Sequence, residues 1–174
     1  MIRSLGELIP RVHGSAFVAE SATIIGDVDI GPQSSIWFGA VVRGDHPDYG
    51  IRLGPRCNVQ DNAVLHVSAA GPTVLEAEVT VGHGAVLESC AVGRRCVIGM
   101  NAVVLQGARL GEGCLVAAGA VVKAGADVPP RSLVAGVPGR VRPLTETAQA
   151  WIEGSASHYV DLSRHYLETW PSLE

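Results

Sequence analysis

Aliphatic residues recur at intervals of six along most of this 174-residue chain. Val12, Val18, Ile24, Ile30, Ile36 and Val42 form a first run, and Leu53, Val59 and Leu65 resume it after a Gly/Pro-rich interruption. A second interruption precedes Leu75, Val81 and Leu87. One residue is then lost, and Val92, Ile98, Val104, Leu110, Val116, Val122, Val128 and Val134 complete the longest run. An amphipathic helix repeats near 3.6 and a half-buried strand at two, so neither produces sixes. A coil of short flat strands joined by tight turns does: each side contributes one inward anchor, and stacked coils cover one another.

Two further columns sharpen this. Four residues after the anchor the side chain is small, as at Ala22, Ser34, Ala40, Cys57, Ala63, Ala85, Cys96, Ala102, Ala108, Cys114 and Ala120. A chain folding around a narrow prism leaves little more room than that at its corners. The residue just after the anchor is often glycine (Gly31, Gly54, Gly82, Gly93, Gly99, Gly111), expected to supply the unusual backbone angles of a corner. Hydrophobic residues make up 47% of the chain but aromatics only 5%, so the interior is built from Val, Ile, Leu and Ala. The repeat therefore predicts an all-β parallel β-helix over residues 1–143. About twenty inward aliphatics, each worth roughly 1.5–3 kcal/mol when fully buried, then offset the ordering entropy.

Residues 144–174 read as a separate helical segment. TETAQAWIEGSASHYVDLSRHYLET (145–169) places Ala148, Trp151, Ile152, Tyr159, Leu162 and Tyr166 in a rough helical stripe suited to lying outside the prism. Gly154 is placed to kink or split that helix. A formal net charge of −4 leaves no electrostatic footprint for nucleic acid. The longest strongly apolar stretch, LVAAGAVV (115–122), is far short of a membrane span. MIRSLGELIP carries no secretory signal pattern. A cytoplasmic protein that binds neither nucleic acid nor membrane is expected. Cys57, Cys96 and Cys114 fall in the small slot, and Cys90 joins them if the later register is extended back, so the thiols are expected to be structural.

His66 follows the anchor Leu65, His83 lies two after Val81, and Glu88 follows Leu87 where the register slips. None holds an inward position. Two imidazoles and a carboxylate on neighbouring coils are a metal-site pattern, with a surface or satisfied core histidine as the alternative.

RGD (43–45), CNVQDNAVLH (57–66), VGHGAVLESC (81–90) and VIGMNAVVLQGA (97–108) together resemble the gamma-class carbonic anhydrases. Their relatives are often labelled hexapeptide-transferase-like or ferripyochelin-binding. The resemblance extends to AGVPGRVRPLT and SASHYVDLSRHY and covers nearly the whole chain. It implies a left-handed coil, where the general crossover rule gives the opposite hand. It also implies a homotrimer acting on CO2 and bicarbonate, with metal-bound hydroxide formed at each interface. Mapped residue by residue, His66 and Glu88 come from one subunit and His83 from the next, around Zn2+, with Fe2+ or Co2+ as alternatives. The family normally has histidine where this chain has Glu88. One carboxylate in place of an imidazole cuts the site's net charge from +2 to +1, so a bound water is harder to ionise. Arg43 and Asp45 match the family's bracing pair, and Gln60 a glutamine beside the metal water, with Asp61 following it. His46 is a candidate proton shuttle, since histidine titrates near neutrality. Two other readings stay open: acyl transfer on the same scaffold with His83 as base, and a catalytically inactive metal-binding trimer.

Overall fold

The computed structural model describes residues 1–169; the last five residues of the expected helical segment lie outside them. Short strands stack into three sheets of seven, seven and eight strands, all parallel except the last strand of the third, and consecutive strands up to that one pass from sheet to sheet in rotation. This is the parallel β-helix that the period of six requires. The anchors fill its axis: Ile24, Ile36, Val42, Val59, Leu65, Val81, Leu87, Ile98, Val104 and Val116 are all completely buried. Ala22, Ala40, Ala63, Ala85, Ala102, Ala108, Cys96 and Cys114 are buried with them in the small slot. An antiparallel pairing of Ser132–Ala135 with Arg140–Pro143 closes the last coil.

The glycine column has a different cause from the one expected. None of Gly31, Gly54, Gly82, Gly93, Gly99 and Gly111 takes a left-handed φ. They are needed because the next coil's backbone passes too close for a Cβ. At Gly99 one would lie 2.6 Å from both the Val116 carbonyl oxygen and the Ala118 nitrogen. The left-handed corners fall elsewhere in the repeat, for example at Asn62 (φ 58°), Gly84 (φ 67°), Asn101 (φ 55°) and Gly119 (φ 68°). Asn is one of the few non-glycine residues that visits this region readily.

Each face carries a different outward column, because side chains alternate across a strand. On one, Arg11 and Arg52 pair with Asp27 and Asp29, and Arg109 stands in register with Asp127. On the second, Phe17, Ser35, Asn58, Thr80 and Val97 are buried under the C-terminal helix. On the third, Val41, Val64, Val86, Val103 and Val121 stand in unbroken register, and Val86 is 39% exposed. No element of the described chain covers that column.

The helix, α1, runs unbroken from Glu146 to Thr169, so Gly154 does not split it into two. Thr145 caps it, its Oγ1 accepting from the Ala148 N–H at 3.2 Å. Ala148, Ile152, Ala156 and Val160 are buried on its inner face. Tyr159 and Tyr166 pack edge-on against Trp37 with ring centroids 5.6 and 5.1 Å apart. Trp151 leaves the expected stripe and is 70% exposed. Among the described residues, no helix is long and apolar enough to cross a membrane.

Candidate functional site

The strands Val41–Gly44, Val64–His66 and Val86–Glu88 pair in parallel, with His66 in register with both Arg43 and Glu88. Because Val42, Leu65 and Leu87 point into the core, the residue after each points out. One ladder thus carries a cation, an imidazole and a carboxylate one coil apart. His66 Nε2 lies 3.1 Å from Asp45 Oδ1, and His66 Nδ1 lies 4.0 Å from Glu88 Oε1. Arg43 forms an ion pair with the other Asp45 oxygen. Burial opposes ionisation of Asp45. The hydrogen bond and charge of Arg43, with help from a backbone N–H and His66, outweigh it and hold the carboxyl below the usual range. An ionised Asp45 makes His66 Nε2 the donor, so a neutral His66 directs its Nδ1 lone pair toward Glu88.

His83 occupies the turn between Thr80–Val81 and Val86–Glu88, at the opposite edge of the valine face from Glu88. Its Nδ1 lies 2.8 Å from Asp61 Oδ2, which leaves Nε2 for an external partner. The two clusters stand apart: among the described residues, no group of three or more His, Cys, Asp or Glu is placed to hold a metal ion within one chain. Gln60 joins His83 rather than His66. Both line a groove of about 820 Å3 between the prism and α1, together with Thr80, Met100, Trp151 and Tyr159. Burial, and secondarily the Asp61 carboxylate, push the Tyr159 phenol up. His46 turns to Tyr49, their rings stacked at 5.0 Å, and its Nδ1 accepts the Asp48 N–H at 3.2 Å.

Residues that the sequence reading did not single out complete the picture. Gln106 Nε2 donates to Glu88 Oε1 at 2.8 Å, steadying the carboxylate. Asn58, Thr80 and Ser155 form a polar chain behind Gln60. The signal for that chain was present: Ser35, Asn58 and Thr80 interrupt an outward column that continues as Val97, Leu115 and Leu133. All four cysteines are free and buried, and burial pushes the thiols of Cys57 and Cys90 up to about 12.

Fold and repeat together define a hexapeptide-repeat β-helix protein. Residues 89–124 match the family model described as "Bacterial transferase hexapeptide (six repeats)". A Methanocaldococcus jannaschii protein named "Probable carbonic anhydrase" is 54% identical over 147 residues, spanning 84% of this chain and 91% of that one. "Gamma carbonic anhydrase 1, mitochondrial" of Arabidopsis thaliana is 41% identical over 162 residues, 89% of this chain and 58% of that one. A crystal structure of a "hexapeptide transferase family protein" from Anaplasma phagocytophilum superposes with a TM-score of 0.85 at 40% identity, covering 90% of this chain and 92% of that one. The chain belongs to the gamma-class carbonic anhydrase family.

Proposed function

We propose that this chain is the subunit of a trimeric metal-dependent carbonic anhydrase, hydrating CO2 reversibly to bicarbonate at sites shared between neighbouring copies. In this reading His66 and Glu88 come from one copy and His83 from the next. One observation carries it: each imidazole has a carboxylate on one ring nitrogen, Asp45 on His66 and Asp61 on His83, and keeps the other for a ligand. That second partner is what fixes ring orientation and tautomer in histidines that bind metals. The donor set fits the ion. His66 Nδ1 and Glu88 Oε1, 4.0 Å apart, need only a small shift to reach the separation of about 3.3 Å between two donors on a tetrahedral ion. Two imidazoles and a carboxylate suit Zn2+, and equally Fe2+ or Co2+.

When bound, such a cation supplies the Lewis acidity that activates water near neutral pH. Glu88 adds one negative charge where the family has a neutral imidazole, which weakens that acidity. Arg43 braces Asp45, Asp61 holds His83, and Gln60 offers a polar atom in an otherwise mostly apolar groove. The test is stopped-flow CO2 hydration on protein loaded in turn with each metal. Hydration faster than the metal-free control is expected, and Glu88→His is expected to raise it, by about tenfold for each unit by which the water's acidity rises. Retained metal with no rate above the control would sink the reading. The groove beside His83 favours acyl transfer as the second reading, which CoA-dependent thermal stabilisation together with acyl-CoA turnover would establish. A well-folded trimer that retains no metal would point to a non-catalytic binding module.

A further inference from the structure

A chain of polar side chains connects Gln60 to α1 through a region where the fold has no need of polarity. Gln60 Nε2 donates to Asn58 Oδ1 at 3.0 Å, and Asn58 Nδ2 donates to Thr80 Oγ1 at 2.8 Å. Thr80 Oγ1 in turn lies 2.8 Å from Ser155 Oγ, near the middle of α1. Gln60, Asn58 and Thr80 are 6%, 0% and 3% exposed. Val97 occupies the next rung of the same column, so an aliphatic fits there. Buried polar groups are costly unless each is satisfied, and this chain satisfies them in a definite order.

An amide carries its donors at one end and its acceptor at the other, whereas a hydroxyl has a single proton. Because Asn58 donates into the Thr80 oxygen, the Thr80 proton is free to go to Ser155, the other hydroxyl within reach. A serine inside a helix has an alternative acceptor for its own proton in the carbonyl four residues back, so the Ser155 oxygen is available to receive it. Remove that acceptor and Thr80 turns its proton to Asn58. Asn58 then turns its NH2 toward Gln60, and Gln60 exchanges the ends of its amide. The two arrangements present opposite atoms to the groove: a carbonyl oxygen in the first, an NH2 in the second.

We infer that Thr80 and Ser155 are positioning residues that act through Asn58, fixing Gln60 with its amide nitrogen in the chain and Oε1 presented to the groove that His83 lines. This rests on the carbonic anhydrase reading for its effect on rate, though not for its effect on the amide. The helix is then part of the site's scaffold, and its docking sets whether Gln60 accepts or donates.

Ser155→Ala and Thr80→Val test this, with Thr80→Ser as the conservative rescue and Ser157→Ala as the control. Ser157 accepts from Arg56 Nη2 at 3.1 Å and so ties α1 down outside the chain. Two readouts are taken: kcat/KM for hydration, and the side-chain amide resonances of Gln60 by NMR. Ser155→Ala and Thr80→Val are expected to lower kcat/KM about tenfold, the scale of one misdirected hydrogen bond, and to shift the Gln60 amide signals. Metal content should be unchanged, Thr80→Ser should restore both readouts, and Ser157→Ala should move neither. Wild-type rates and unshifted Gln60 signals in Ser155→Ala overturn the inference. So does an equal loss in Ser157→Ala, which would reduce the effect to helix docking. If the wild-type protein hydrates no CO2, the carbonic anhydrase reading fails by itself, and the Gln60 signals alone decide: shifted in Ser155→Ala they support the chain, unshifted they overturn it.

Discussion

Asp61 illustrates how a residue's work depends on which nitrogen it touches. It lies 2.8 Å from His83 Nδ1, so a neutral His83 carries its proton there and keeps Nε2 as a lone-pair donor. Asp61→Asn can keep the hydrogen bond only by accepting through its amide oxygen, and it removes the charge that favours this tautomer. Loss of such a partner costs about 10–100-fold in metal affinity. Equilibrium dialysis against a competing chelator should show that loss, with the melting temperature nearly unchanged because the pair is half exposed. Unaltered affinity would remove Asp61 from the candidate site. At this scale the sequence was informative wherever a residue broke the repeat. His66, His83 and Glu88 were visible because nothing in the repeat needs an ionisable group there. The partition was not visible. Asp45 goes to His66 and Asp61 to His83, although the sequence reads Asp45 as the bracing partner of Arg43 and Asp61 only as the residue after Gln60, and Gln60 sides with His83. Those pairings depend on which coil lies above which, and a linear spacing does not state that.

At the scale of the element, the coil explains why small residues are compulsory for two separate reasons. Buried alanines and cysteines fill corners too narrow for larger side chains, as the period of six implies. The glycines after the anchors meet a different demand, close passage of the next coil's backbone, and the sequence reading assigned them to corner angles instead. Both causes leave the same letter in the sequence, and only the coil-to-coil distance separates them. They predict different mutants. Gly99→Ala adds a methyl group 2.6 Å from two backbone atoms, which have no rotamer with which to move aside. Overpacking of this kind costs about 1–3 kcal/mol, or a fall in Tm of about 2–12 °C for a chain of this size. A calorimetric Tm equal to that of the natural protein would contradict the close approach. The helix was legible as an amphipathic stripe, but Trp151 was misplaced on it. Its apolar ring suggested burial, and α1 turns it toward the groove.

At the scale of the whole molecule, the three faces leave one arrangement favoured. Charges solvate the first face and α1 covers the second, while among the described residues no element covers the valine column of the third, with His83 at one edge and His66 and Glu88 at the other. A contact joining one edge of this face to the opposite edge of the next copy is heterologous, and such contacts close into rings when the rotation allows. The proposed trimer therefore makes a prediction that no single-chain site can match. His66→Ala protein lacks one ligand at every site, and so does His83→Ala protein, so each alone should be inactive and retain little metal. Unfolded together in equal amounts and refolded, they form mixed rings. A given interface is intact only when the copy supplying His66 is the His83→Ala chain and the copy supplying His83 is the His66→Ala chain. Random assembly satisfies both conditions at about one interface in four. Metal content and hydration rate should each recover to about a quarter of the natural protein's. A site contained within one chain would recover nothing on mixing, because every copy would still lack one imidazole. The experiment thus separates a shared site from a self-contained one without depending on which metal is bound or how fast the reaction runs.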